Sequence, residues 1–83
     1  MTTVTIGGRE FVLGALYAPA EPISHNGKQR GPRRLAGYDP PERCDPWYAE
    51  RGGRVRVRHL SGSLGPFWSG DYWIAWIGEK VEG

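Results

Sequence analysis

The stretch FWSGDYWIAW, residues 67–76, decides how the rest of the chain is read. It holds Phe67, Trp68, Tyr72, Trp73 and Trp76, five of the ten aromatic residues. A buried aromatic side chain withdraws roughly 150–250 Å² from water, so these few residues supply much of a small core. Ser69-Gly70-Asp71 at the centre is turn chemistry, and the flanks are strand chemistry. The stretch is therefore expected to form a hairpin with residues 72–77 as its longer arm. In that arm Tyr72, Ile74 and Trp76 share one face, and Trp73, Ala75 and Ile77 the other. Both faces are apolar, which predicts a strand covered on both sides.

Outward from this centre the chain is short and rich in turns. Its 83 residues are expected to form one domain, 1–83. A chain of this size buries only ~60% of the surface it exposes when unfolded, so it needs dense packing or a partner. Cys44 is the only cysteine, which excludes an intrachain disulfide. Cys44, His25 and His59 show no metal-ligand spacing, so no metal or other cofactor is expected. Gly and Pro number 13 and 7, which predicts long and numerous loops, while four Trp and four Tyr argue against disorder.

Strand signals precede the aromatic stretch. Residues 2–6 alternate, Gly7-Gly8 suits a tight hairpin turn, and residues 9–17 return with Val4 opposite Phe11 and Thr2 opposite Leu13. Gly14 interrupts that strand and marks a bulge or bend. Residues 18–32 read as loop, and residues 33–38 as a short strand burying Leu35. Asp45-Pro46 is an N-cap followed by proline at the first helical position, which predicts a helical turn near 46–51 stopped by Gly52-Gly53. Residues 54–60, RVRVRHL, form the clearest strand, with Val55 and Val57 on one face and Arg54, Arg56 and Arg58 on the other. Residues 61–66 read as loop, and a short edge strand is expected around Val81. The fold class that follows is mainly β. It is a small, strongly bent antiparallel sheet, or a partly open SH3-like or OB-like barrel of five or six short strands with one helical turn.

Charge is distributed unevenly. The net charge is +2, yet residues 28–58 carry nine basic side chains against four acidic ones. Nine of the eleven cations are arginine, which makes planar, bidentate contacts to phosphate and carboxylate that lysine cannot. Two groups stand out: Lys28, Arg30, Arg33 and Arg34 in KQRGPRR, and the row Arg54, Arg56 and Arg58. Same-face residues on a strand lie roughly 6.5–7 Å apart, a spacing that suits successive phosphates. The plain alternative for both groups is a solvated surface. Trp73 and Trp76 are read as core. Trp68 and Tyr72 flank the expected turn, where an exposed ring would stack on a base or anchor a protein partner.

No glycine-rich phosphate loop, nucleophile elbow or metal-binding helix is present, and the chain is not expected to be an enzyme. The functional expectation is a non-catalytic module that engages nucleic acid or a nucleoprotein. Its site would be Lys28, Arg30, Arg33, Arg34, Arg54, Arg56 and Arg58 with Trp68 and Tyr72. The alternative is a small protein-interaction module or inhibitor, of the kind mobile elements such as phages direct against host defence complexes. Pairing of exposed strand edges into a homo-oligomer is a third reading. The residues 1–11 lack a basic-plus-apolar leader, and no run of about 18 apolar residues occurs, so no membrane partner is expected. An unpaired cysteine fits a reducing compartment, so the expected location is cytoplasmic.

Overall fold

The computed structural model describes residues 2–21, 27 and 31–82. Seven strands and two short helices follow in the order β1 (Thr3–Ile6), β2 (Arg9–Val12), β3 (Leu16–Pro19), β4 (Arg33–Asp39), a 3-10 turn (Pro41–Arg43), α1 (Pro46–Ala49), β5 (Arg54–His59), β6 (Leu64–Ser69), α2 (Gly70–Trp76) and β7 (Ile77–Glu82). The first two strands form a separate hairpin. The other five form an antiparallel sheet in the order β6-β5-β4-β3-β7. The mainly β, antiparallel class is the one the sequence predicts, with seven strands and two helices in place of the five or six strands and single helical turn expected. No helix among the described residues is long and apolar enough to cross a membrane.

The first hairpin forms as expected. Gly7 and Gly8 take φ angles of 58° and 80°, which glycine adopts without steric cost, and Val4 pairs with Phe11. The expected strand over residues 9–17 is divided, however. Gly14, at φ 87°, turns the chain between β2 and β3, so the second half joins the other sheet. The Gly14 amide then donates to Leu35 O at 2.8 Å, and the Leu35 amide to Ala15 O at 3.0 Å, fixing the junction to β4.

Residues 67–76 do not form a hairpin. Leu64–Ser69 is a strand, so the expected loop over residues 61–66 is shorter than its composition suggests. Ser69 then caps a helix: its hydroxyl accepts from the Tyr72 amide at 3.2 Å while its own backbone stays extended. Helical spacing brings Trp73, Trp76 and Ile77 to one side, all buried, and leaves Asp71, Tyr72 and Ala75 exposed. An almost uniformly apolar run carries no periodicity to separate the two structures.

The core follows from that helix. Trp73 is fully buried, edge-on to Phe11 at 5.6 Å and Tyr17 at 5.7 Å, and stacked on Trp76 at 6.1 Å. Trp68 packs against both indoles. Ile6, Leu35, Val55 and Val57 complete the interior.

The loop before β5 forms as predicted. Asp45 Oδ1 accepts from the Tyr48 amide at 3.2 Å, Pro46 starts α1, and Gly52 and Gly53 end it at φ 86° and 98°. The loop then docks on the start of α2, where the Gly70 amide donates to Gly53 O at 3.0 Å and the Asp71 amide to Arg51 O at 2.9 Å. The approach leaves no room for a side chain at position 70. A Cβ there would overlap the Gly52 carbonyl oxygen and lie 2.8 Å from its carbon.

Two stability predictions follow from these contacts. Gly70→Ala is expected to destabilise the fold by about 1–3 kcal/mol through overpacking, outweighing the ~1 kcal/mol of helix propensity that alanine offers. Urea unfolding measures it, and a variant as stable as the parent shows that the backbone yields freely. The second concerns Tyr38, whose hydroxyl donates to Gly52 O at 2.7 Å. Burial raises its phenol above the ordinary value, and Cys44 and Glu42 add to the shift. The folded state thus holds the phenolic proton more tightly than the unfolded state. The stabilisation is complete below about pH 10 and is lost as pH rises through the folded value. Thermal melts from pH 8 to 11 are expected to show a smaller alkaline decline for Tyr38→Phe than for the parent. Superimposable declines contradict this.

Candidate functional site

The outer face of β5 is where the expected arginine row lies. Val55 and Val57 point into the core, and Arg54, Arg56 and Arg58 point away from it. The neighbouring strands decide what each arginine faces. On β4, Asp39 lies opposite Arg54, Gly37 opposite Arg56 and Arg34 opposite Arg58. On β6 the partners are Ser69, Phe67 and Leu64.

The row is electrostatically divided. At one end Arg54 donates from Nε at 3.1 Å and Nη2 at 2.9 Å to the same carboxylate oxygen of Asp39. Its guanidinium also lies 4.7 Å from the Phe67 ring centroid and 5.9 Å from that of Tyr48. The hydrogen bond to Asp39 raises an already high pKa, with burial opposing. Arg56 Nη2 is 3.9 Å from the other Asp39 oxygen, a looser contact on a half-exposed side chain. The Arg56 guanidinium lies across Gly37, where a Cβ would come within 2.7 Å of its Nε.

At the other end Arg34 and Arg58 face one another with no carboxylate within ion-pair distance among the described residues. Each has a single hydrogen bond among those residues: Arg34 Nη1 donates to Gly14 O at 2.6 Å, and Arg58 Nη1 to Gly62 O at 3.1 Å. A guanidinium has five N–H groups, so most donors at this end have no partner among the described residues.

The remaining expected residues are placed differently. Arg33 is on the inner side of β4 with Leu35. Its guanidinium lies 6.0 Å from the Trp76 ring and donates to Gly31 O and Pro32 O. It is therefore turned away from Arg34, because adjacent strand residues point to opposite faces. Lys28 and Arg30 lie outside the described residues. Trp68 pairs with Val55 and so faces inward, half-buried against Trp73 and Trp76. Tyr72 is 57% exposed, but it projects from α2 beside Trp68 rather than from the arginine face.

The face also presents residues that strand assignment alone would have revealed. Phe67 is 49% exposed and lies opposite Arg56; Leu64, opposite Arg58, is exposed too. Reading residues 61–66 as loop and 67–76 as a hairpin hid both. On α1, Trp47 is 54% exposed with the Arg51 guanidinium 4.1 Å from its ring. Cys44 sits behind this region, its thiol donating to Asp39 O at 3.3 Å. His59 ends β5, and His25 lies outside the described residues. No cluster of three or more His, Cys, Asp or Glu side chains among the described residues is arranged to hold a metal. Comparison with family models, with curated proteins and with solved structures finds no match for the chain, so the reading of this face rests on its own geometry.

Proposed function

We propose that the chain is a non-catalytic module that binds nucleic acid, alone or within a nucleoprotein, through the outer face of β4, β5 and β6. Arg34, Arg56 and Arg58 contact phosphates in this reading. One observation carries it: Arg34 and Arg58 are directly opposite across two paired strands, with no carboxylate among the described side chains within ion-pair distance of either. Like charges in that position destabilise a sheet, and an anionic ligand relieves the repulsion. The strand geometry suits the task, since side chains at i and i+2 repeat roughly every 6.5–7 Å along an extended polyanion. A face that presents its arginines from strands favours contact with the phosphate backbone over reading of base edges in a major groove. A cytoplasmic setting, in which Cys44 stays reduced, belongs to the same proposal.

A second reading is supported by the apolar margin of the face. Leu60, Leu64 and Phe67 are exposed along β6 and the turn before it, beside arginines. Arginine and aromatic residues are enriched where protein interfaces draw their affinity. In this reading the chain is a mobile-element-encoded inhibitor that occupies a site on a host nucleic-acid-handling complex.

Fluorescence anisotropy with DNA and RNA oligonucleotides at two salt concentrations tests the first reading. Affinity is expected to fall steeply with salt, and Arg34→Ala and Arg58→Ala are each expected to lower the logarithmic salt slope by about 1. Asp39→Asn frees Arg54 and removes a negative charge, so it is expected to raise affinity. Absence of binding at low salt, or affinity indifferent to salt, contradicts the proposal. A stoichiometric protein partner that survives nuclease treatment in a pull-down selects the second reading.

A further inference from the structure

The arginine that the proposed phosphate track does not use belongs to a second arrangement. Phe67, Arg54, Tyr48, Trp47 and Arg51 form a continuous ladder of rings and guanidiniums from β6 across β5 to α1. The spacings are 4.7 Å from Arg54 to Phe67 and 5.9 Å from Arg54 to Tyr48. They are 4.9 Å between Tyr48 and Trp47, and 4.1 Å from Trp47 to Arg51. Asp39 anchors the middle of the ladder through its two bonds to Arg54. The two end rings, Phe67 and Trp47, are about half exposed, while Tyr48 between them is more buried.

Half-exposed rings at both ends of a fixed ladder, continuous with the face that carries Arg34 and Arg58, have a specific chemical use. Water gains nothing from Phe67 or Trp47, and burying either ring in the core would have stabilised so small a domain. A guanidinium beside each ring restrains it and leaves part of its surface open to another planar group. Bases of a duplex are stacked on each other and offer no free face. Bases of an unpaired strand do, and they stack on aromatic side chains regardless of sequence.

Accepting the nucleic-acid reading above, we infer that the ligand is single-stranded. Its bases stack on Phe67 and Trp47 while its phosphates follow Arg56, Arg58 and Arg34. Arg54 is then a positioning residue that acts through Phe67, and Arg51 plays the same part for Trp47. Sequence preference is weak, because the ladder recognises π-faces rather than base edges.

The test compares one oligonucleotide as a single strand, as a duplex and as a single strand with abasic sites. The parent protein is expected to prefer the intact single strand. Phe67→Ala and Trp47→Ala are each expected to weaken single-strand binding about tenfold and leave duplex binding unchanged. Phe67→Tyr is expected to restore binding and Phe67→Leu to fail, which separates stacking from bulk apolar contact. Unfolding midpoints equal to the parent's show that the variants fold, as expected for exposed rings. Equal affinity for the three oligonucleotides overturns the stacking inference, and so does equal loss on single strand and duplex in Phe67→Ala. In those cases sensitivity to Arg34→Ala and Arg58→Ala leaves the phosphate-binding reading standing. Failure to bind any of the three overturns both.

Discussion

Burial of the Trp73 indole is the constraint on which the rest of the structure depends. Its ring meets Phe11 from the first hairpin, Tyr17 from β3, Trp68 from β6 and Trp76 from its own helix. Removing an indole of this size from water is worth roughly 4–6 kcal/mol at ~25 cal/mol per Å², comparable with the entire net stability of many small domains. The indole Nε1 is buried without a hydrogen-bond partner among the described residues, a cost of about 1–3 kcal/mol. The apolar gain exceeds that cost, so the position is filled from all sides by other rings. It also explains why residues 70–76 are helical. A strand would send Trp73 and Trp76 to opposite faces, whereas a helix turns both toward the inner side of the sheet.

Filling the inner side with aromatics leaves the outer faces of β4, β5 and β6 to present charge. What they present is set by two irregularities on either side of β5. Arg34 and Asp39 are five residues apart and would fall on opposite faces of a regular strand. A register shift between Leu35 and Gly37 adds a residue, so both reach the outer face and oppose Arg58 and Arg54. The register shift between Arg56 and Arg58 does the same for Leu64 and Phe67 on β6. A regular β5 between two irregular neighbours thus acquires an acid at one end, a cation at the other and an aromatic ring beside its middle.

These irregularities mark where the sequence stops being legible. Features that rest on local chemistry can be read directly: the glycine pair of the first hairpin, the Asp45-Pro46 helix start, the alternation of Arg54 through Arg58, and the burial of Trp73 and Trp76. Features that depend on a partner strand cannot. Nothing in residues 33–39 alone says that Arg34 and Asp39 share a face, since the shift exists only relative to β5. Gly65-Pro66 reads as turn chemistry because proline lacks an amide donor, yet that loss is tolerated on an edge strand such as β6. The error at residues 67–76 has a related cause. Ser69 suits a turn and a helix cap equally, and apolar residues on every side fit a buried strand and a buried helix alike. Trp68 and Tyr72 stand out in the sequence because they flank that expected turn, and Phe67, one residue further out, does not.

The preponderance of arginine over lysine acquires a geometric meaning from this arrangement. Net charge alone would be served by either residue. Arg54, however, donates from one edge of its guanidinium to Asp39 while its central carbon sits over the Phe67 ring. A lysine ammonium has no planar face to offer and cannot serve both partners in that way. Arg51 likewise donates to Trp47 O at 2.7 Å while covering the Trp47 ring. Arg56 lies flat across Gly37, a fit that requires both a planar group on β5 and a missing side chain on β4. Planarity is thus used three times on one side of the molecule, in each case to hold a cation in a defined place. A surface needed only for solubility gains nothing from such restraint, because an exposed charge is hydrated equally well in any rotamer. Restraint has value where a partner must meet the group in one orientation, since the entropy of fixing the side chain is then lost on folding rather than on binding.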